Sequence, residues 1–160
     1  MNKILYYIIT TLCTFIASPV LAQQLVGAWK LTAADKILPN GQRVADYGAN
    51  PHGIAIFTPD GHYMVEIYSS DRKPFASGDR KKGTPEEYRD AMLTMSCHFG
   101  TYEVDTVRNR IRFHIDRSSY PNSDATTREN DFSIKDSQLS WQVPPRPNGD
   151  IPVSVFTRIR

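Results

Sequence analysis

Four histidines, His52, His62, His98 and His114, are the side chains best suited to moving a proton or holding a metal near neutral pH. None stands two or four residues from another, and no HExxH or Cys/His cluster accompanies them, so the spacing does not describe a metal site. His62 falls beside a Pro59-Asp60-Gly61 turn and is expected to face solvent. His98 follows a predicted helix and His114 lies mid-strand. If both entered a common interior, they would serve as neutral hydrogen-bond partners or as a general acid and base. Cys97 reads as a small buried hydrophobe rather than a nucleophile. Tyr47, Tyr68, Tyr102, Tyr120 and Trp141 each join an apolar ring to one polar handle, as the side chains of small-molecule sites do, although each alone is more often a core residue. Arg128 could meet an acidic ligand group, or Glu103 across the structure; an outward salt bridge is the commoner arrangement. No hydrolase, kinase or dinucleotide motif occurs in the chain.

The elements that must position these residues are bounded by size and charge. A chain of 160 residues, 40% of them apolar and 22% charged, predicts one ordinary domain. With 19 Lys+Arg scattered among 17 Asp+Glu, there is no basic stripe, so nucleic acid is not an expected partner. Residues 1–22, MNKILYYIITTLCTFIASPVLA, carry Lys3, then an apolar run from Ile4 to Ala17, then Ser18-Pro19 before Val20-Leu21-Ala22. That layout predicts a secretory signal peptide cleaved after Ala22. An apolar run of about 14 residues falls short of the ~20 that span a bilayer, so no stable membrane insertion is expected afterwards. The expected mature domain is therefore 23–160, periplasmic or secreted. Cys97 is its sole cysteine, so an intramolecular disulfide is excluded and stability must come from a packed core.

From Leu25 onward, short apolar or alternating runs are separated by turn residues every 8 to 12 positions or so, the pattern of an all-β sandwich or barrel. Leu25–Ala33 reads as a first strand, and Asn40-Gly41 turns its extension back onto Gln42–Asp46. Gly53–Thr58 and His62–Ser69 flank the Pro59-Asp60-Gly61 turn as a hairpin. Asp71–Gly83 reads as an exposed loop. Thr84-Pro85-Glu86-Glu87 is a capping box with proline at the first helical position. Tyr88, Ala91, Met92, Met95 and Phe99 extend a helical stripe from it, so the spacing predicts a helix of about 13 residues over Pro85–His98, ended by Gly100. Strands follow at Thr101–Val104, Arg110–Asp116, Thr126–Ile134, Gln138–Val143 and Val153–Ile159. The expected fold is an antiparallel eight-stranded β-barrel with one inserted α-helix; a two-sheet sandwich is the alternative.

Face assignments are less even. Alternation in Ile111–Asp116 sets Ile111, Phe113 and Ile115 against Arg112, His114 and Asp116. The ordinary reading is apolar inward; the sharper one is a polar lumen lined by Arg112 and His114. In His62–Tyr68, Tyr63, Val65 and Ile67 oppose Met64, Glu66 and Tyr68, and both faces carry apolar bulk. Trp29 is expected at the closed end, stacked with Arg158.

Gly27-Ala28-Trp29 resembles the opening of lipocalin and other calycin barrels. More specific are Tyr47-Gly48-Ala49-Asn50-Pro51-His52-Gly53, Pro59-Asp60-Gly61-His62-Tyr63-Met64, Thr84-Pro85-Glu86-Glu87-Tyr88 and Phe99-Gly100-Thr101-Tyr102-Glu103-Val104, then His114 and Tyr120-Pro121-Asn122. In that order they resemble the lipocalin-like domain family of small bacterial and fungal proteins, over nearly the whole mature chain. Two stretches depart from the family's wording: Cys97-His98, where another aromatic is expected, and Asp124–Arg128, which keeps the arginine without the expected Trp and Gly. The resemblance implies a lipocalin-like β-barrel, a helix beside or across one mouth, and a lumen suited to a small hydrophobic molecule, with no cofactor.

The leading expectation is thus an exported barrel that binds such a molecule. Its candidate contacts are Tyr47, His52, Met64, Tyr68, Met92, Met95, His98, Tyr102, His114, Tyr120, Arg128 and Trp141, with the helix and the Tyr47–Gly53 loop shaping the mouth. One alternative is an isomerase or cyclase using His98 or His114 as acid/base. A second is a protein-interaction module with a filled barrel. Oligomeric state is left open.

Overall fold

The computed structural model describes residues 20–159, so nearly all of the expected signal segment 1–22 lies outside the described residues. A short helix α1 (Val20–Leu25) leads into strands β1 (Gly27–Ile37), β2 (Arg43–Ala45), β3 (His52–Phe57) and β4 (His62–Tyr68). Helix α2 (Pro85–Leu93) intervenes before β5 (Met95–Asp105), β6 (Arg110–Ser118), β7 (Thr126–Lys135), β8 (Gln138–Gln142) and β9 (Ile151–Arg158). The strands pair antiparallel in the order β2-β1-β3-β4-β5-β6-β7-β8-β9, and a further β1–β9 pairing closes the sheet. The result is an eight-stranded barrel with β2 as an extra strand. Closure works because β1 is long: Gly27–Lys30 pair with β3, residues 29–37 pair with β9, and residues 35–37 also carry β2.

Interior filling follows the two-residue period of a strand. Trp29 and Leu31, Ala55 and Phe57, Tyr63 and Val65, and Ile111 and Phe113 point inward, as do Phe132, Leu139, Trp141 and Phe156. Aromatic rings fill the lower half, with Trp141–Phe156 at 4.4 Å, Tyr63–Phe113 at 4.6 Å and Phe57–Tyr102 at 5.1 Å between centroids. Trp29 seals the base. The Arg158 guanidinium lies 4.1 Å from its ring centroid, as expected, and its Nε1 donates to the Leu25 carbonyl at 2.8 Å. A bulge at Thr32 restores the inward phase of β1, and a second at Asp116 lets Ser118 pair with His98.

The helix begins where the capping box places it, with the Thr84 hydroxyl accepting from Glu87 N and the Glu87 carboxylate accepting from Thr84 N. It ends at Leu93, not at His98. From Met95 onward the chain pairs with β4 (Tyr68↔Met95 through His62↔Thr101), so strand pairing overrides a helical stripe that ran on to Phe99. Met95 and Phe99 consequently stand on the outer face of β5. No residue of α2 is buried; Tyr88 meets Phe75 of the preceding loop rather than the core.

Candidate functional site

The upper half of the barrel is not filled. A cavity of about 290 Å³ opens there, walled by Ala34 of β1, Val65 and Ile67 of β4, Ser96 and His98 of β5, Arg128 of β7, Trp141 of β8 and Ser154 of β9. Trp141 forms part of its floor, where the aromatic stack ends. Tyr47 and Tyr120 stand at the rim, with the Pro144–Asp150 loop contributing Arg146. The rim charges satisfy one another: Arg146 Nη2 lies 2.7 Å from Asp46, and Lys36 Nζ lies 3.6 Å from Asp46 and 3.1 Å from Asp150.

Below the rim a polar relay crosses the lumen. His98 is 7% exposed, with Nδ1 2.9 Å from the Tyr63 hydroxyl and Nε2 3.0 Å from Arg128 Nη2. A guanidinium can only donate, so Nε2 accepts and the ring hydrogen belongs on Nδ1, aimed at the Tyr63 oxygen. Burial, reinforced by the Arg128 charge, pushes the His98 pKa down to about 3. Burial also raises the Tyr63 phenol and lowers the Arg128 guanidinium from their ordinary values. His98 is thus a neutral ring whose free lone pair is already engaged, a poor general base and a good orienting partner for the arginine.

Arg128 itself is the anomaly. Its Nε is sealed from solvent and has no hydrogen-bond partner, and no carboxylate among the described residues bridges the guanidinium. Two residues along the same face of β7, Asn130 is 0% exposed with both amide atoms unpartnered. β8 pairs with β7 only from Asp131 onward, so the first half of β7 has no strand on that side. The gap leaves a second recess, bordered by Arg128, Pro144, Pro145 and Ile151, beside the guanidinium.

Of the expected contacts, Tyr47, His98, Tyr120, Arg128 and Trp141 meet at this cavity. Arg128 turns inward rather than into the surface ion pair expected of it. Tyr102 also points inward but lies lower, its hydroxyl donating to the Thr58 carbonyl at 3.0 Å. The other candidates stand elsewhere. His52, Met64 and Tyr68 occupy the outer faces of β3 and β4, because Gly53, Ala55 and Phe57 and then Tyr63, Val65 and Ile67 take the inner ones. Met92 sits on the peripheral helix and Met95 on the outside of β5. His114 faces out, 3.1 Å from Thr127 Oγ1 and 3.5 Å from Glu103, so the polar-lumen reading of β6 fails and Arg112 joins Glu129 outside. The Tyr47 loop shapes the mouth; the helix lines none of the cavity. Cys97 is also outward-facing, its thiol raised by burial and 3.6 Å from the Tyr68 hydroxyl. Tyr63, Ser96, Asp46 and Arg146 are site residues that the sequence reading did not single out.

A closed antiparallel barrel with a half-filled lumen defines a lipocalin-type class of protein. The family described as "Lipocalin-like domain" matches residues 26–158, and the chain belongs to it. A lipocalin-like protein from Bacteroides uniformis is similar at 13% identity, with 85% of this chain and 99% of that one covered and a TM-score of 0.43. An uncharacterized protein from Bacteroides eggerthii is similar at 14% identity, with 84% and 99% covered and a TM-score of 0.41. No curated protein matches the chain. No described helix is long and apolar enough to cross a membrane.

Proposed function

We propose that this protein is an exported binding protein that takes one small, partly apolar molecule into the upper half of its barrel. The observation that supports it most is the division of the lumen: rings pack the base, and above them lies an accessible cavity of about 290 Å³. Small-molecule sites occupy about 300–1,000 Å³ and combine apolar walls with a few fixed polar groups, so the ligand is at the small end of that range. Val65, Ile67, Val143 and Trp141 supply the walls; His98, Arg128 and Ser154 supply the polar groups. Export rests on the layout of residues 1–22.

Trp29 is buried at the base and Trp141 lines the cavity, so the Trp29→Phe variant leaves Trp141 as the reporter among the chain's two tryptophans. The expected result is a saturable change in Trp141 fluorescence with small aromatic probes, together with a one-to-one bound species in native mass spectra of protein recovered gently from the periplasm or medium. Protein that is recovered empty and leaves Trp141 unresponsive to every probe overturns the reading.

A further inference from the structure

We infer that the ligand is an organic monoanion, a small apolar body bearing a carboxylate, and that Arg128 holds its charged group. This rests on the reading of the lumen as a ligand site and adds its chemistry. The buried side-chain polar atoms without a partner among the described residues are Arg128 Nε and the two amide atoms of Asn130. They belong to two side chains on one inward face of β7, of which Arg128 lines the cavity while Asn130 is wholly buried beyond it, so the unmet group within a ligand's reach is the guanidinium. Buried polar groups are ordinarily satisfied, and a buried unpaired charge is costlier than a neutral group.

The sign and number of the ligand's charge follow from its surroundings. At the rim, Lys36 and Arg146 are matched by Asp46 and Asp150, and Asp35 is held by Arg43 at 2.7 Å. His98 is neutral and Tyr63 is a phenol, so Arg128 carries the uncompensated charge facing the cavity. One positive charge matches one anion. A carboxylate suits it best, because a guanidinium edge presents parallel N–H donors to two coplanar oxygens. His98 occupies Nη2 from one side and so fixes the guanidinium plane without cancelling its charge. A neutral ligand of the same shape, even one whose carbonyl accepts from the guanidinium, would leave the Arg128 charge uncompensated, which supplies discrimination as well as affinity.

The test is calorimetric titration of the mature protein with 2-naphthoate and 2-naphthamide, which share shape and apolar surface and differ in charge. The expected result is naphthoate binding at least about 10-fold tighter at pH 7, and a loss of about 10- to 100-fold in naphthoate affinity in the Arg128→Gln variant with naphthamide little changed. Equal affinity of the two probes for the unaltered protein, a comparison that needs no variant to fold, overturns the anion inference and leaves the lumen reading standing. Undiminished naphthoate binding by Arg128→Gln does the same. If neither probe binds and Trp141 fluorescence is unmoved, both readings fall together.

Discussion

Lowering the pH from 7 to 5 should destabilise this protein through His98, and the size of the effect is set by the geometry around the ring. Its pKa is about 3 in the fold against 6.5 for a free histidine, because protonation would place a charge in a 7%-exposed position beside Arg128. Between those values the unfolded chain takes up a proton that the folded one refuses. Stability from this group is therefore complete above about pH 6.5 and is lost as pH falls toward 3, at no more than about 1.4 kcal/mol per unit. By pH 5 the cost reaches about 2 kcal/mol. Urea unfolding followed by circular dichroism at pH 7, 6 and 5 reads it directly, with the His98→Gln variant as reference. Glutamine can accept from Arg128 and donate to Tyr63 but does not titrate in this window. His52, His62 and His114 remain in both proteins, so the difference between the two slopes isolates His98. Slopes that coincide to within about 0.5 kcal/mol over the interval would refute the assignment of a neutral, arginine-bonded ring.

Three further outcomes follow from the same packing. Arg128→Met should raise the ligand-free unfolding free energy, measured in urea, by about 1 kcal/mol, net of the hydrogen bond it takes from His98 Nε2, since it removes a partly buried charge lacking a carboxylate partner; a clear fall would make the arginine a structural residue. Gly100→Ala should cost about 3 kcal/mol, because a Cβ there would overlap the His114 carbonyl oxygen and lie 2.9 Å from Asp116 N at the β5–β6 bulge; a denaturant midpoint near that of the unaltered protein would show that the bulge can give way. Thr84→Ala removes the cap of α2 and should weaken that helix by about 1 kcal/mol. As α2 buries nothing, hydrogen exchange over residues 85–93 should quicken while the global midpoint stays in place, and a matching fall in the global midpoint would contradict the peripheral role of the helix.

Features decided by local chemistry were legible in the sequence. The 59–61 turn, the capping box and the strand count depend on residues near one another in the chain, and all appear as read. The end of the helix did not, because Met95 and Phe99 continue the helical period while β5 is settled by pairing with a distant strand, from Tyr68↔Met95 to His62↔Thr101. Both faces of β4 carry apolar bulk, so alternation could not say whether Tyr63 or Tyr68 enters the barrel. β7 was more informative than the reading made of it. Phe132 and Ile134 are apolar and share the phase of Arg128 and Asn130, whereas Thr127, Glu129, Asp131, Ser133 and Lys135 form an entirely polar opposite face. Extending that phase backward places Arg128 inward. The apolar phase of the strand outweighs the general tendency of arginine to pair at the surface.

That strand is also where the interior stops obeying the rule that fills the rest of the barrel. From the base upward, inward positions hold Trp29, Phe57, Phe113 and Phe156, and then β7 introduces an amide and a guanidinium whose needs the fold does not meet. A carboxylate at position 98 would have quieted Arg128 and stabilised the folded chain, while leaving nothing in the lumen to attract an anion. A neutral imidazole does something different: it takes one N–H, sets the plane of the guanidinium and passes the chain of donors on to Tyr63. The depressed basicity of His98 and the unmatched charge of Arg128 are thus two consequences of one arrangement, each maintaining the other. Local rules broken together in an otherwise consistent fold are expected where stability has been exchanged for recognition, and here the guanidinium stands in the wall of the open cavity.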